Sequence, residues 1–251
     1  KGYLARVYFQ MNKFDSAYKY ADQVITGSGA TFDNTANFVT NRFNNPATGE
    51  AVFSLVNESD NTVRFEPLRN DENPKLGMKL PINSTTYFTS TANAADRRKA
   101  WYTDSLNIAT NVHTYGINKY KKNNFILPLL HITELKLIRA ESAASSATNL
   151  PTAIADINDI TNRAYGGAIT PLAMNATASQ ILSRVRQERK LEMIYETGDR
   201  LQQIKRIGAK GEPSTSHGNA PWNCNGIVLQ FPAQEFNVNV NFLPNPTGGC
   251  L

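Results

Sequence analysis

The segment from Glu188 to Gly208 constrains the fold more than any other part of the chain. It is dense in charge, yet an apolar stripe at helical spacing runs into and through it. The stripe comprises Ile181, Leu182, Val185, Leu191, Ile194, Tyr195, Leu201 and Ile204. Because the charged and apolar side chains are so closely interleaved, we expect some charged groups to lie against the stripe as ion pairs. The pattern predicts one long helix over 178–207, or two helices that break at Gly198.

Three glutamates of this segment, Glu188, Glu192 and Glu196, are spaced four residues apart and therefore line one helical face. Such a row is compatible with acid/base chemistry or metal binding, and also with a structural network of ion pairs. Catalytic carboxylates of glycosidases face each other across a substrate, so three on one helix favour the structural interpretation. The expected partners on the same segment are Arg184, Arg189 and Arg200.

The beginning of the chain predicts a helical hairpin over residues 3–25. Its spacing of Leu, Tyr and small residues matches the tetratricopeptide pattern. Ala17 and Ala21 would let two antiparallel helices approach closely, and Asn12 would supply the turn because asparagine tolerates the left-handed conformation. One such hairpin cannot bury its apolar face alone, so we expect neighbouring elements to pack on it.

The remaining pattern predicts helices and a few strands between long polar loops. Proline is suited to the first turn of a helix, where its missing N–H has no helical partner. The predicted elements are a strand at 51–56, a helical region at 84–104, a strand at 114–122, a helix that Pro128 opens, a helix from Pro151 that Gly166 ends, and a strand at 227–232. We assign Trp101 to the core because it falls in a helical region.

Composition excludes some classes of function. The formal net charge of +5 is spread along the chain, whereas nucleic-acid binding requires a concentrated basic stripe, so we expect no nucleic-acid partner. No apolar run approaches the roughly 20 residues of a membrane helix. Cys224 and Cys250 could form a bridge in an oxidising compartment or remain two free thiols. The chain opens inside a helical pattern, so we expect its natural N-terminus and targeting signal to lie upstream.

Four segments, in this order, resemble the SusD/RagB family, the glycan-capturing lipoproteins of Bacteroidetes outer membranes. They are Leu4–Tyr8 with the alanines that follow, Pro128–Glu141, Glu188–Arg200, and Phe231–Pro246. Shorter similarities occur at Asp96-Arg97-Arg98 and Lys119-Tyr120. His131 and Thr197 depart from the family pattern, and family members are considerably longer than this chain.

The resemblance implies a mainly α fold in which TPR-like helical hairpins form a curved scaffold, an α-α superhelix, with long loops and little β structure. It implies one SusD-like domain over 1–251. We expect this domain to contain a TPR-like hairpin at 1–26, a loop-rich insertion at 27–127, a helical hairpin with the charged signature helix at 128–208, and an irregular C-terminal segment at 209–251.

The resemblance also implies a function: non-enzymatic binding of oligo- or polysaccharides at the cell surface, for delivery to a TonB-dependent, SusC-like transporter. No cofactor is implied, and the membrane would be reached only through an upstream lipid anchor outside this chain. The alternative is capture of peptides for a similar transporter, as RagB-like members do. A glycoside hydrolase would need a pair of facing carboxylates, and none is identifiable in this sequence. A plain TPR scaffold would not explain the signature helix.

Sugar binding needs a flat aromatic on a loop or edge, with amides and charged groups beside it. Trp222 with Asn223 best meets that condition, in the C-terminal irregular sequence. The second candidate is Phe65 in the loop 57–83, flanked by Arg64, Asn61 and Arg69. We expect no metal site, because His113, His131 and His217 are isolated from each other and no zinc-ligand spacing is present.

Overall fold

The structure is a computed structural model, and the chain in it forms two compact units. Unit 1 comprises Lys1–Phe9 and Lys13–Glu192, and unit 2 comprises Gln10–Asn12 and Met193–Leu251. The residues that the structure describes are 1–44, 49–55, 79–80, 95–107, 112–117, 119, 127–211, 216–217, 220–228, 231, 233–239, 241–243 and 245.

Helices dominate the described residues, which confirms the predicted mainly α fold. The α-helices are α1 (Gly2–Gln10), α2 (Phe14–Gly27), α3 (Phe38–Asn44), α4 (Ile132–Ser145), α5 (Leu150–Tyr165), α6 (Ala178–Glu192), α7 (Asp199–Ala209) and α8 (Ala233–Val238). Short 3₁₀ helices span Arg97–Trp101 and Asn225–Ile227. No helix among the described residues is long and apolar enough to cross a membrane.

The strands in the described part of the chain form three small antiparallel sheets. The strands are β1 (Ala51–Leu55), β2 (Lys79–Leu80), β3 (Tyr102–Asn107), β4 (Val112–Ile117), β5 (Leu127–His131), β6 (Ser216–His217) and β7 (Ala220–Pro221). β1 pairs with β5, β4 lies between β2 and β3, and β6 pairs with β7. The first sheet holds Ala51 opposite His131 and so brings β1 to the start of α4.

The predicted hairpin at 3–25 is confirmed as α1 and α2, which Asn12 joins with a positive φ of 58°. The small residues meet the expectation, since Ala5, Ala17 and Ala21 are fully buried. α2 packs on α4, and α4 in turn contacts α5 and α6. The shared core adds Phe9, Val24, Leu130, Leu135 and Ile138. Full burial of each large apolar side chain contributes roughly 1.5–3 kcal/mol to stability.

Helix α4 is the centre of unit 1, because its residues from Ile132 to Ala144 are all buried. A helix buried on every side must satisfy its polar groups within the protein. Arg6 donates to both oxygens of Glu134 at 2.7 and 2.6 Å. Arg139 and Lys136 both donate to Asp156, at 2.7 and 2.9 Å respectively. Ion pairs against an apolar core, which the sequence predicted for the signature helix, therefore occur in α4 as well.

The helix that Pro128 was predicted to open begins four residues later. Pro128 lies in β5, where β1 is its partner strand in a two-stranded sheet and a residue without an N–H is tolerated. His131 has an extended backbone and is the N-cap of α4: its Nδ1 accepts a hydrogen bond from the N–H of Glu134 at 3.2 Å. The predicted packing role of His131 thus takes the form of a buried cap.

Two other local predictions are wrong in the described residues. The described part of the helical region predicted at 84–104 contains a 3₁₀ helix and then β3, because residues 102–107 pair with residues 112–117. Residues 84–94 lie outside the described residues. The strand predicted at 227–232 is not formed at Ile227, which ends a 3₁₀ helix. The charged segment is two helices, α6 and α7, with Gly198 at φ 68° as the N-cap of the second.

Candidate functional site

The candidate site is a groove of ≈ 540 Å³ within unit 2, which we call the Trp222 groove. Its volume falls in the range of about 300–1,000 Å³ typical of small-molecule sites. Described residues that line it are Gln10, Gln202, Lys205, Arg206, Ala209, Trp222, Asn223, Cys224, Ile227 and Val228. The groove therefore joins one face of α7 to the turn after β7 and to the end of α1.

Trp222 owes its position to a glycine. A Cβ added at Gly208 of α7 would overlap the five-membered ring of the Trp222 indole, so the ring lies directly against the helix backbone at that point. Trp222 is only partly buried and lines the groove, which leaves part of the indole available to a ligand. Gly208 thus lets a flat aromatic rest on a helix at the edge of a groove.

The turn that carries Trp222 is held by its own backbone bonds and by a disulfide. The N–H of Cys224 donates to the carbonyl of Pro221 at 3.1 Å, and the N–H of Ile227 donates to the carbonyl of Cys224 at 3.1 Å. Cys224 is disulfide-bonded, and no described cysteine is a free thiol. Ile227 is buried beneath the turn, whereas Asn223 is exposed at the groove. Trp222 and Asn223 are therefore presented on a braced segment.

A pair of amides forms the polar side of the Trp222 groove. Gln10 Nε2 donates to Gln202 Oε1 at 3.1 Å, and Gln202 Nε2 donates to the carbonyl of Thr197 at 3.1 Å. These bonds fix the orientation of the Gln202 amide. Next to an aromatic ring, oriented amides offer the hydrogen-bonding groups that sugar hydroxyls or peptide groups require.

The sequence predicted part of this site. Trp222 and Asn223, which it proposed as a pair, both line the groove. Phe65, Arg64, Arg69 and Asn61 lie outside the described residues, and ligand binding by either set of residues stays a prediction. Sequence reasoning missed Gln10, Gln202 and Lys205, because they belong to helices whose pattern was interpreted only as scaffold. A polar residue at the end of a predicted TPR helix was the one available signal for Gln10.

Two of the three glutamates in the row, Glu188 and Glu192, belong to a buried ion cluster in unit 1, whereas Glu196 lies in unit 2. Glu192 lies among three arginines: Arg42 Nη1 and Arg163 Nη2 each donate to Oε2 at 3.0 Å, and Arg98 Nη1 donates to Oε1 at 3.3 Å. Glu50 binds Arg42 at 3.1 Å and Arg163 at 3.0 Å. The structural interpretation of Glu192 is confirmed, although its partners come from distant segments and not from the signature helix.

Glu188 and Asp96 complete this cluster around Arg98. Arg98 Nη2 lies 2.8 Å from Asp96 Oδ2 and 2.9 Å from Glu188 Oε2. Lys119 Nζ donates to the backbone carbonyl of Glu192 at 2.7 Å. The cluster, defined as Arg42, Arg98, Arg163, Lys119, Glu50, Asp96, Glu188 and Glu192, carries four positive and four negative side chains when all are ionised, and all are nearly inaccessible.

Two opposing effects set the pKa values of the carboxyl groups in the cluster: burial raises them, and the neighbouring arginines lower them. Burial raises the pKa of Glu192, but Arg163, Arg42 and Arg98 outweigh it and lower the pKa to about 2. Burial likewise raises the pKa of Glu50, yet Arg42 and Arg163 bring it down to about 2. For Glu188, burial prevails over the attraction of Arg98, so its pKa is raised.

A second pocket, of ≈ 500 Å³, lies in unit 1 between Phe32, Asn34, Asp159, Asn162 and Arg163. Its aromatic ring is occupied: the Arg163 guanidinium lies 4.2 Å from the centre of the Phe32 ring and 4.1 Å from that of Phe38. Asp159 is bound by Lys136 at 2.6 Å. This pocket therefore extends the structural ion-pair system, and it lacks the available aromatic face of the Trp222 groove.

The other predicted residues take structural places. Trp101 is buried, as predicted, and packs edge-on against Phe38 and Phe43 with ring centres 5.7 and 6.1 Å away. Its indole N–H donates to the carbonyl of Val39 at 2.8 Å. Within the described residues, no group of three His, Cys, Asp or Glu side chains is arranged to hold a metal ion.

Comparison with known proteins gives this architecture a family. The family model of the SusD family matches residues 11–241, and the chain belongs to that family. No curated protein matches it. A SusD superfamily protein from Bacteroides vulgatus superimposes with a TM-score of 0.75 at 19% identity, over 98% of this chain and 58% of the other.

Two further structures carry functional descriptions of their own. A SusD-like carbohydrate binding protein from Bacteroides vulgatus matches at a TM-score of 0.63 and 18% identity, over 82% of this chain and 44% of that one. Surface glycan-binding protein A from Bacteroides uniformis matches at 0.68 and 16%, over 96% and 59%. This chain spans between 44% and 59% of the length of these three proteins. At such identities the likeness establishes the fold.

Proposed function

We propose that the protein binds oligo- or polysaccharides without chemical conversion, and that the Trp222 groove is where its described residues contact them. The observation that carries the proposal is the juxtaposition of a braced, partly exposed indole with oriented amides in one groove. Family membership supports it, because one similar structure is described as a SusD-like carbohydrate binding protein, and another protein of similar fold is described as surface glycan-binding.

The chemistry of the groove suits a sugar ring. The C–H face of a pyranose is apolar and stacks on a flat aromatic, while its hydroxyl groups need donors and acceptors around the rim. Trp222 offers the flat surface, and Asn223 and Gln10 lie beside it with amide groups. Capture of this kind requires neither a nucleophile nor an acid/base pair.

The wider role follows from the family. We propose that the protein delivers its ligand to a TonB-dependent, SusC-like transporter at the outer face of the outer membrane, to which a lipid anchor upstream of this chain would hold it. The residues proposed from the sequence around Phe65 (Asn61, Arg64 and Arg69) are a second contact region in this scheme. The proposed division of residues 1–251 into a single SusD-like domain with four segments also stays a prediction.

The test measures binding of the chain to neutral and acidic polysaccharides by retardation in polysaccharide gels and by calorimetry. We expect selective binding that Trp222→Ala weakens about tenfold or more, as removal of a central aromatic anchor does. Trp222→Phe, which keeps a flat ring, should lose less. Phe231→Ala is the matched control, because Phe231 is an exposed aromatic of the same unit that does not line the groove.

The outcomes separate the alternatives. Binding that Trp222→Ala leaves unchanged would contradict the assignment of the groove and direct attention to Phe65. Silence on every polysaccharide, together with saturable binding of a peptide library, would replace glycan capture with the RagB-like capture of peptides. Release of reducing sugar that one Asp or Glu substitution abolishes would contradict the non-enzymatic role.

A further inference from the structure

The charges around the Trp222 groove are of one sign. Among the described residues that line it, the ionisable side chains are Lys205 and Arg206, both cations, and no carboxylate is present among them. Cys224, the remaining residue with ionisable chemistry, is disulfide-bonded. The described lining thus presents positive charge next to an aromatic surface, which attracts anions into the groove.

The two cations differ in accessibility. Arg206 is only 3% exposed, whereas Lys205 is partly exposed, one residue earlier on α7. Lys205 forms no ion pair with any residue that the structure describes. Its ammonium group is therefore the cation of the groove that a bound anion can reach.

A neutral ligand would not explain the accessible Lys205 ammonium in the groove, because the amides there can already form hydrogen bonds with sugar hydroxyl groups. A lysine near a helix C-terminus does interact favourably with the helix dipole, and this offers a competing explanation for Lys205. Lys210 separates the two explanations, because it is the C-cap of the same helix, is exposed, and does not line the groove. A dipole effect would act at both lysines, whereas ligand binding would involve Lys205.

We propose that the ligand of the Trp222 groove is an acidic saccharide, whose sugar ring stacks on Trp222 and whose carboxylate or sulfate group pairs with the Lys205 ammonium. The inference deepens the proposed function and rests on it. Charge-assisted hydrogen bonds are shorter and stronger than neutral ones, so this pair would select acidic sugars over neutral sugars of the same shape. Hydrogen bonds from the Asn223 and Gln10 amides would still fix the ring.

The experiment compares the full chain with Lys205→Gln and with the control Lys210→Gln, which removes the same charge from the same helix. One pair of probes is a galacturonate oligosaccharide and its methyl ester, which differ in charge and keep the same backbone. The second pair is chondroitin sulfate and desulfated chondroitin, which tests whether sulfate is required in addition to the uronate carboxylate. Binding is measured by calorimetry at low and high salt.

We expect the galacturonate oligosaccharide to bind about five- to tenfold more tightly than its uncharged methyl ester, the effect of one charge-assisted bond. Desulfated chondroitin keeps its uronate carboxylate, so it should bind more weakly than chondroitin sulfate only if Lys205 pairs with the sulfate group. Lys205→Gln should remove the preference for the acidic probe, while Lys210→Gln should keep the preference and leave the affinity for neutral sugar unchanged. High salt should weaken binding of the acidic probe to the native chain more than to Lys205→Gln.

The failures of the two proposals are distinguishable. Trp222-dependent binding that is equal for acidic and neutral probes, or that Lys205→Gln and Lys210→Gln alter equally, would overturn the inference while the proposed function stands. Silence on both pairs and on neutral polysaccharides would overturn both. Preference for chondroitin sulfate alone would assign the anion as sulfate, and preference for galacturonate over its ester would assign it as carboxylate.

Discussion

The two units use the same kinds of side chain in opposite ways. In unit 1, arginines and glutamates are buried and paired, so that Glu192 meets three guanidinium groups and almost no solvent. In unit 2, a lysine, a tryptophan and an asparagine stand beside a groove with part of their surface available. Charge density alone therefore does not identify a candidate site, and the site that we propose rests instead on an accessible charge beside an accessible aromatic.

The difference lies in what each arrangement would lose by accepting a ligand. The carboxylates of the unit 1 cluster are already paired with its cations, and a ligand would have to displace buried charges from one another at high cost. A ligand of the Trp222 groove faces no such cost, because Lys205 lacks an ion-pair partner among the described residues and Trp222 is only partly buried. This contrast can be tested by perturbing each unit separately.

The largest effect is expected from Glu192→Gln. The substitution keeps the shape of the side chain but leaves three buried arginines facing one carboxylate fewer. Breaking a buried ion pair from one side costs about 3–5 kcal/mol, so we expect a loss of this size in the free energy of unfolding measured with urea. The matched control, Glu235→Gln, removes an exposed carboxylate of unit 2 and should change stability by less than about 0.5 kcal/mol. Equal effects would contradict a structural role for the cluster.

Acid should lower the stability of the chain through two carboxylates of the buried cluster, those of Glu50 and Glu192. The folded-state pKa values of Glu50 and Glu192 are lowered from 4.5 to about 2, so their contribution is complete above pH 4.5 and is lost as the pH falls toward 2. Each shift corresponds to about 3 kcal/mol. Glu188 acts in the opposite sense, because its raised pKa makes protonation favourable to the folded state.

Urea unfolding at pH 7, 4.5 and 3 checks this pH dependence. We expect most of the loss to occur between pH 4.5 and 3, and Glu192→Gln to show a smaller loss over the same interval. A chain that loses its stability between pH 7 and 5 would show that other groups govern its acid sensitivity.

Gly208→Ala perturbs unit 2. The added methyl group would overlap the Trp222 ring, so the ring must move off the helix at a cost of about 1–3 kcal/mol, typical of overpacking. We expect glycan affinity to fall along with it, as in Trp222→Ala. Gly27→Ala is the control, because a methyl group at the end of α2 meets no atom within 4 Å. Unchanged binding in Gly208→Ala would mean that the position of the indole does not matter for the ligand.

The extent to which the sequence predicts these two units depends on how local each feature is. The spacing of Ala17 and Ala21 predicts their close packing, because a helix repeats within a few residues, and both are fully buried. The charge-rich pattern of the signature helix predicts buried ion pairs as a class. It cannot predict that Arg42, Arg98 and Arg163 supply them, since those residues come from other elements far along the chain.

The Trp222 groove shows the same limit more strongly. An aromatic in irregular sequence identifies Trp222 as a candidate, yet Gln10 and Gln202 meet across 192 residues of sequence. Gly208 carries no visible signal either, because only the packed structure shows that the space of its missing side chain is filled by an indole. Aromatic residues on loops are thus predictable as candidates, and the groups that complete a site around them are not.

The smallest effect is expected at the start of α4, where His131 is the N-cap. Its Nδ1 caps the helix through the N–H of Glu134, and loss of such a cap costs about 1 kcal/mol. His131→Ala should therefore lower the free energy of unfolding by about this amount, whereas His131→Asn, which keeps a side-chain acceptor, should recover most of it. Sugar affinity should not change in either variant, because His131 belongs to unit 1 and does not line the Trp222 groove. If alanine and asparagine prove equally destabilising, the stabilising role of His131 is its packing in the core, and the cap contributes nothing.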